Sequence, residues 1–480
     1  MAYCRENRER KPRMRPIVPK GDSGGGTDCA TCSGKGCVEL GPLPDAAESE
    51  IVRVFHDECI CGANEGRRTY WGNKGDRFFH KSKGGSIMIS GFICACHGRM
   101  EIPPDQMEAF GVFCRTDLRF KDLAFTKSAF TTDDGRKGVH SFTTIEPGKN
   151  KDGWWKGEDV ASQLEEVVPI FEFLHPASAK ALFVFDNSTN HSCAPLGALG
   201  VGNGVNKGPG GINAPGAMTT KIMPGASAAN PIMIPRMRDG WYKTDDGATV
   251  VQSMHDGTGQ FKGTEQILIE RGRIKKDDKL PSKCRAKAGE ERPAMCCCRH
   301  VLLDEPDFKS QPTLIEELVE RLGHFTRMLP KCHPELNPIE QFWAAVKEWL
   351  RRECGYTFTE LKINVPRALR VVSVAQVQRY FRRAERFEAL YLFEADGNME
   401  LPAAVREYAM KKYKRHRTVP DSLLTDVASD LEKRVATLND KVHRGQGKLS
   451  GIRLARAKAT LAELRQVPAL AEAAPMEVAP

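Results

Sequence analysis

The sequence predicts an α/β fold in which a sheet flanked by helices carries a long loop-rich insertion and a helical C-terminal extension. Short β-rich runs bounded by glycine come first, at 51–62, 67–73 and 84–98. The first of these runs is predicted to be a strand that ends near Asp57. Helical spacing at 157–176 then leads into an apolar run at 181–191, which is typical of a strand buried on both faces.

The remaining elements follow in chain order. Residues 192–280 are rich in glycine, proline and asparagine, and we interpret them as mostly loop belonging to an insertion. A helix is predicted at 313–325 and a short strand at 325–330. Residues 356–418 have a basic helical pattern, and 421–465 form a charged helical tail, interpreted as a helical hairpin.

A chain of 480 residues has room for about two to four domains. Residues 1–49 are basic and rich in glycine, so we expect disorder there. A folded domain is predicted over 50–355, with its insertion at about 192–306. A basic helical extension is predicted over 356–420, and a charged helical tail with a frayed end over 421–480.

The composition excludes two classes of protein. No run of about 18 apolar residues exists, so no membrane span is expected. The first 20 residues have no apolar core and do not form a secretory signal. The run GDSGGG at 21–26 resembles a protease nucleophile loop, but too few residues precede it to hold the required histidine and aspartate.

The net charge of +9 is compatible with binding to nucleic acid. Two basic runs stand out, at 5–15 and at 411–417. Each could contact phosphate or act as a nuclear import signal, and the alternative is a solvated charged segment. The candidate phosphate ligands of the second run are Lys411, Lys412, Lys414, Arg415 and Arg417.

With no secretory signal, the 16 cysteines are expected to be thiols or metal ligands rather than disulfides. One group contains Cys29, Cys32 and Cys37, and a second contains Cys284, Cys296, Cys297, Cys298 and His300. Zinc needs four ligands. The first group offers a pair and one more thiol, and adjacent cysteines in the second cannot easily face one metal. Either group could hold zinc; the alternative is buried or incidental thiols.

The stretch PKCHPELNPIEQFW at 330–343 opens a helix. Asn337 is predicted to be its N-cap, Pro338 its first residue and Glu340 the partner in a capping box. An apolar stripe at 3.6-residue spacing follows, made of Ile339, Phe342, Trp343, Val346, Trp349 and Leu350. Glu340 lies at the edge of this stripe. Its two interpretations are a helix cap and a carboxylate that faces a metal.

Asp57, Asp186 and Glu340 lie where strands end or a helix begins. Ligands collect at the carboxyl ends of parallel strands, so these three side chains could converge there. Three carboxylates repel one another unless a cation joins them, and hard oxygen ligands suit Mg²⁺. Two such ions about 4 Å apart can activate water and stabilise the leaving oxygen in phosphodiester cleavage. Glu58 and Asp76 remain alternatives to Asp57.

Three motifs in this order resemble those of the mariner-like D-D-E transposases. HPELNPIEQFWAAVK resembles the third acidic motif, FVFDNSTNH the second, and FHDE at 55–58 the first. GPGGINAP, MRDGWY, CCCRH and KKYKRHR are similar to elements of a eukaryotic, often fungal, branch of D-D-E superfamily endonucleases. The resemblance covers about residues 50–420.

The resemblance implies an RNase H-like catalytic domain with a mixed sheet over 50–355. It implies that Asp57, Asp186 and Glu340 are catalytic and hold two Mg²⁺ or Mn²⁺ ions. The implied activity is cleavage of DNA phosphodiesters and strand transfer in the nucleus. The implied partners are double-stranded DNA, at transposon terminal inverted repeats, and a second copy of the chain in a homodimer.

The sequence departs from this family in two places. Such transposases carry a long N-terminal helix-turn-helix region, and the segment before the first acidic motif shows no helical pair, so we expect that region to be lacking. The spacing from Asp186 to Glu340 is also longer. Two alternatives therefore stay open: a catalytically decayed or domesticated DNA-binding protein, and a general RNase H-like nuclease. His56, His191 and His333 are interpreted as local hydrogen-bonding residues.

Overall fold

The computed structural model describes residues 49–66, 82–396, 423–444 and 448–465, with short pieces before 49 and between 401 and 410. Within 82–396 the description omits 203–204, 212, 222, 224, 285–292 and 294. The chain divides into two compact units. The first unit comprises Met1–His191 and Leu318–Pro480, and the second comprises Ser192–Glu317.

The described strands are β1 (Ile17–Pro19), β2 (Val38–Leu40), β3 (Ile51–Gly62), β4 (Ser86–Cys94), β5 (Glu101–Ile102), β6 (Ala129–Thr131), β7 (Lys137–His140), β8 (Phe142–Ile145), β9 (Lys180–Phe185), β10 (Met218–Thr219), β11 (Ile232–Met233), β12 (Gly240–Lys243), β13 (Thr249–Gln252) and β14 (Phe325–Met328). The described α-helices are α1 (Met107–Thr116), α2 (Gly157–Leu174), α3 (Thr264–Glu270), α4 (Cys298–Leu303), α5 (Pro306–Lys309), α6 (Leu314–Arg321), α7 (Pro338–Arg352), α8 (Phe358–Val371), α9 (Val374–Asp396), α10 (Leu423–His443) and α11 (Lys448–Arg465). Single 3₁₀ turns lie at Pro104–Gln106 and Pro334–Leu336.

The first unit is built on a five-stranded mixed sheet in the order β14-β9-β3-β4-β8. Strand β3 lies at its centre, antiparallel to β4 and parallel to β9. The edges are formed by β14, parallel to β9, and β8, antiparallel to β4. The predicted α/β class is therefore confirmed at the level of a mixed sheet with helices.

Alternation along β3 separates the two faces of the sheet. Ile51, Phe55 and Cys59 belong to one buried apolar cluster, together with Leu182 and Val184 of β9. Helix α7 contributes Ile339, Phe342 and Val346 to the same cluster, which explains the apolar stripe in its sequence. The core therefore fixes α7 against the centre of the sheet, on the face to which odd-numbered residues of β3 point.

Two predicted strands differ from the structure in extent. Strand β3 does not end near Asp57 but continues to Gly62, because its antiparallel ladder with β4 runs from Val54–Cys94 to Gly62–Ser86. The run predicted over 181–191 becomes β9, which ends at Phe185, immediately before Asp186. The strand predicted at 67–73 lies outside the described residues.

The C-terminal part of the first unit is helical where it is described. Helices α8 and α9 occupy much of the segment predicted to be basic and helical, and α10 packs against α11 as the predicted helical hairpin. Among the described residues, none of the helices combines the length and the apolar character needed to cross a membrane.

The second unit has its own apolar core, centred on Met254, Phe261, Ile267, Leu268 and Leu302. The sequence predicts mostly loop over 192–280, yet the described residues there include two hairpins, β10–β11 and β12–β13, and the short helix α3; α4 and α5 follow later in the unit. These elements are too short to give a clear periodic signal, and their tertiary packing makes them regular.

Candidate functional site

Asp57 and Asp186 come from neighbouring parallel strands. The register pairs Phe55 of β3 with Val184 of β9, and each of the two aspartates follows two positions later on its own chain segment. Asp57 lies within β3, whereas Asp186 is the first residue after β9. The parallel register therefore brings the two aspartates side by side at the carboxyl end of β9.

Glu340 reaches this edge from the first turn of α7. The residue before the helix, Asn337, is buried, and its side-chain amide donates a hydrogen bond to the backbone oxygen of His56 at 3.4 Å. His56 directly precedes Asp57. This hydrogen bond ties the start of α7 to β3 beside the first aspartate, while Glu340 itself remains exposed.

The predicted capping box at Asn337 is wrong. Asn337 occupies the N-cap position, but its side chain accepts no hydrogen bond from the helix. Its backbone N–H donates to the oxygen of Pro334 at 3.0 Å, so it is not available to the Glu340 carboxylate. The amide that would cap the helix instead holds the helix against the sheet.

Electrostatics link the three carboxylates. Burial, then the negative charge of Glu340, with smaller effects of Glu58 and Asp186, raise the pKa of Asp57 from 3.8 to about 8. Partial desolvation of its carboxylate and the charge of Asp186 raise the pKa of Glu340, although Lys347 opposes the shift. Asp57, Asp186 and Glu340, here called the acidic triad, therefore form a group in which the carboxylates repel one another.

Asp186 is the exception in this group because a histidine stabilises its charged form. Nδ1 of His191 lies 2.6 Å from Oδ1 of Asp186, and this hydrogen bond is the main reason why the pKa of Asp186 is lowered. The same contact contributes to a raised pKa of His191, against the effect of its burial. His191 thus fixes the orientation of the Asp186 carboxylate.

A second polar group lies beside the acidic triad. His56, Glu58 and His191 place one potential ligand atom each within 4.8 Å of one another and could hold a metal ion. Both histidine side chains are fully buried, and Nε2 of His191 lies 3.7 Å from Oε1 of Glu58. Alternation along β3 points His56 and Glu58 away from the face of Asp57.

His56 and His191, interpreted from the sequence as local hydrogen-bonding residues, both make hydrogen-bond contacts. Nε2 of His56 lies 2.8 Å from Oγ of Ser90, and His191 contacts Asp186. The sequence did not predict that both histidines share a cluster with Glu58, because His56 and Glu58 lie on β3 whereas His191 follows β9. Their shared position beside acidic motifs, in HDE and DNSTNH, was the only available signal.

The other candidates from the sequence lie elsewhere or outside the description. Asp76, Cys29, Cys32, Cys37 and the basic residues at 411–417 lie outside the described residues. His333 contacts Glu335, with its Nδ1 2.8 Å from Oε1. It packs against the ring of Tyr391.

The second cysteine group is partly brought together. Cys284, Cys296 and His300 place their ligand atoms within 4.8 Å of one another. The thiol of Cys297 also lies 3.2 Å from Nδ1 of His300. Cys298 instead faces the apolar core of the second unit, where its thiol approaches the oxygen of Leu280 at 3.9 Å. Cys296 and Cys297 thus both approach His300, whereas Cys298 points away, so the three adjacent cysteines do not all face one point.

Comparison of the chain with protein families, with curated proteins and with solved structures finds no match.

Proposed function

We propose that this protein is a D-D-E transposase or endonuclease that cleaves DNA phosphodiester bonds and transfers strands in a metal-dependent reaction. One observation carries the proposal: the acidic triad gathers at one edge of the sheet from three segments that are distant in sequence. Such a group of like charges is unfavourable for folding. A function that requires a cation accounts for it.

The fold forms part of the proposal, which is an RNase H-like catalytic domain. Support comes from the mixed five-stranded sheet, in which an antiparallel series, β3-β4-β8, is extended from β3 by the parallel strands β9 and β14. Asp57 then lies on the central strand β3. This strand has little freedom to move because β9 and β4 flank it and are themselves buried.

The donor set of the acidic triad fits Mg²⁺ or Mn²⁺. Carboxylate oxygens are the ligands that these hard cations prefer, and few protein ligands leave room for water and phosphate oxygens. Two bound cations would supply an activated water nucleophile and stabilise charge on the leaving oxygen. Asp57, Asp186 and Glu340 would hold them.

The chain's own residues keep the carboxylates in place. The hydrogen bond from Asn337 to the backbone of His56 fixes the start of α7, which limits the positions that Glu340 can reach. The imidazole of His191 holds one oxygen of Asp186 and leaves the other for a cation. Because these supports are rigid, few degrees of freedom are lost when the site is loaded.

The proposed partner is double-stranded DNA, with transposon terminal inverted repeats as the cleaved sequence. Lys411, Lys412, Lys414, Arg415 and Arg417 provide the positive charge for contacts with its phosphates. A homodimer, which would hold two transposon ends together, and a nuclear location belong to the same proposal.

The test is nicking of supercoiled plasmid by the full-length protein in Mn²⁺ or Mg²⁺. Glu340→Gln and Asp186→Asn each remove one charge from the acidic triad without changing its shape, and we expect nicking to fall by at least about 100-fold, because metal binding and transition-state charge stabilisation are lost together. The matched control is Glu348→Gln, which makes the same change at an exposed position on α7. It lies about 12 Å further along the helix.

Unchanged nicking by both triad variants would refute the assignment. A third outcome is that none of the proteins nicks the plasmid, although all of them still bind it in a gel shift. If an oligonucleotide that carries the element's own ends also stays uncut, this outcome would favour a decayed or domesticated DNA-binding protein. Preferential cleavage of RNA–DNA hybrids would instead favour a general RNase H-like nuclease.

A further inference from the structure

A second group of ligand-type side chains lies at the end of the neighbouring strand. Strand β4 ends at Cys94, which is also the first residue of a closed turn with the sequence CACHG, residues 94–98. Backbone hydrogen bonds join Cys94 and Gly98 in both directions, at 3.0 and 2.9 Å. Gly98 has a φ of 62°, a left-handed conformation that glycine adopts without strain. The turn therefore groups the side chains of Cys94, Cys96 and His97.

A fourth side chain reaches this turn from a distant element. His175 follows the last residue of α2, and its Nδ1 lies 2.8 Å from the backbone oxygen of Phe171. A carbonyl oxygen only accepts hydrogen bonds, so Nδ1 carries the proton and Nε2 presents its lone pair. Nε2 lies 4.0 Å from the sulfur of Cys94. A backbone acceptor of this kind orients many metal-binding histidines.

The surroundings of Cys94 favour a thiolate. The backbone N–H of His97 donates to its sulfur at 3.3 Å. Backbone donors around a sulfur stabilise the form that binds metal.

We propose that Cys94, Cys96, His97 and His175 form a structural zinc site. Their four ligand atoms all lie within 4.8 Å of one another. Tetrahedral coordination at normal Zn–S and Zn–N bond lengths places ligand atoms about 3.3–3.8 Å apart, so each pair of ligand atoms needs to close by roughly 1.5 Å at most. Two thiolates and two neutral imidazoles balance the charge of Zn²⁺.

The donor set separates this site from the acidic triad. Sulfur and imidazole are ligands for Zn²⁺ and are poor ligands for Mg²⁺. Four protein ligands fill a tetrahedral site and leave no open position for water or substrate, which is typical of a structural zinc. The bound ion would tie the end of β4 to the end of α2, two elements that are separated in the sequence by residues 95–156.

The test is the zinc content of the full-length protein after expression with added zinc and desalting, measured by mass spectrometry of the metal. Cys94→Ser with Cys96→Ser should remove one equivalent relative to the wild type, and His175→Gln should do the same. Cys114→Ser is the control, because this buried cysteine of α1 lies outside the cluster and should leave the zinc content unchanged. Cys284, Cys296 and His300 could hold a zinc ion of their own. The measured quantity is therefore the difference in zinc content between each variant and the wild type, not the total.

Cobalt substitution keeps the proposal testable if a variant fails to fold. In the wild-type protein, Co²⁺ should give the visible absorption of tetrahedral coordination together with a thiolate charge-transfer band. The Cys296→Ser variant, which leaves the proposed site intact, should retain both bands. An unchanged zinc content in the folded Cys94, Cys96 and His175 variants would overturn the proposal, as would loss of all cobalt–thiolate absorption in Cys296→Ser.

Discussion

Asp57→Asn should make the metal-free protein more stable at neutral pH, because this substitution relieves repulsion within the acidic triad. Burial and the charge of Glu340 raise the pKa of Asp57 from 3.8 to about 8 in the folded protein. An acid with a raised folded-state pKa binds its proton more tightly in the folded than in the unfolded chain. The stability that it contributes is fully present below about pH 4 and is lost as the pH rises towards 8.

The size of the effect follows from the proton balance. Between the two pKa values the folded state holds about one proton more than the unfolded state, so the free energy of unfolding falls by up to about 1.4 kcal/mol per pH unit. At pH 7 the full loss would be on the order of 4 kcal/mol. Solvent near the half-exposed Asp186 and the exposed Glu340 weakens the repulsion, so we expect the free energy of unfolding to fall by about 1–3 kcal/mol. Asparagine does not titrate and avoids this loss.

The assay is urea unfolding of the wild type and of Asp57→Asn, followed by circular dichroism in a chelator between about pH 5 and pH 8. The stability difference between the two proteins should widen as the pH rises. Glu58 and Glu340, whose pKa values are also raised, are present in both proteins, so this difference reports Asp57 together with its coupling to these neighbours. The control is Asp105→Asn, at an exposed position in the 3₁₀ turn before α1.

Added Mn²⁺ should reverse the order, because a cation bound by three carboxylates stabilises the wild type more than the variant. A stability difference between wild type and Asp57→Asn that is the same at every pH would contradict this prediction. So would a variant that is less stable than the wild type at pH 7 without metal.

Two further predictions concern the second unit and the basic run. Asp307→Asn should destabilise the second unit by about 3 kcal/mol, because the buried Arg271 would lose the charge of Asp307, its nearer partner at 2.7 and 2.8 Å, and keep that of Glu305 at 3.1 Å. Faster protease cleavage within 192–317 would report this, and Asp304→Asn, whose side chain is 67% exposed, should cleave like the wild type. Alanine at the five basic positions of 411–417 should lower the salt dependence of DNA binding by about 0.9 for each phosphate that these side chains neutralise. A slope equal to that of the wild type in filter-binding assays would show that this run does not contact phosphate.

Local patterns predicted the strands β3, β4, β9 and β14 and the helices α2 and α6–α11, but not α1, β5–β8 or the short elements of the second unit. The apolar run before Asp186 predicted β9, and the spacing of Phe342 and Val346 predicted the buried face of α7, because burial of one face leaves its period in the sequence. The same logic failed at Asn337. Its side chain fits an N-cap, but its Nδ2 donates to the backbone of β3 while its Oδ1 accepts no hydrogen bond, and no local pattern encodes that long-range contact.

Sequence periodicity was enough to locate the longer helices and the buried strands of the first unit and the residue types at their ends, whereas the short strands and helices within 101–145 and in the second unit depend on packing. Which of those ends meet is fixed by the tertiary structure alone. The parallel register of β3 and β9 sets Asp57 beside Asp186, and the packing of α2 sets His175 beside the turn at Cys94. Backbone periodicity acts over a few residues, whereas register and packing are fixed by contacts between segments far apart along the chain. A site assembled across such segments is therefore specified by the folded core rather than by any one stretch of sequence.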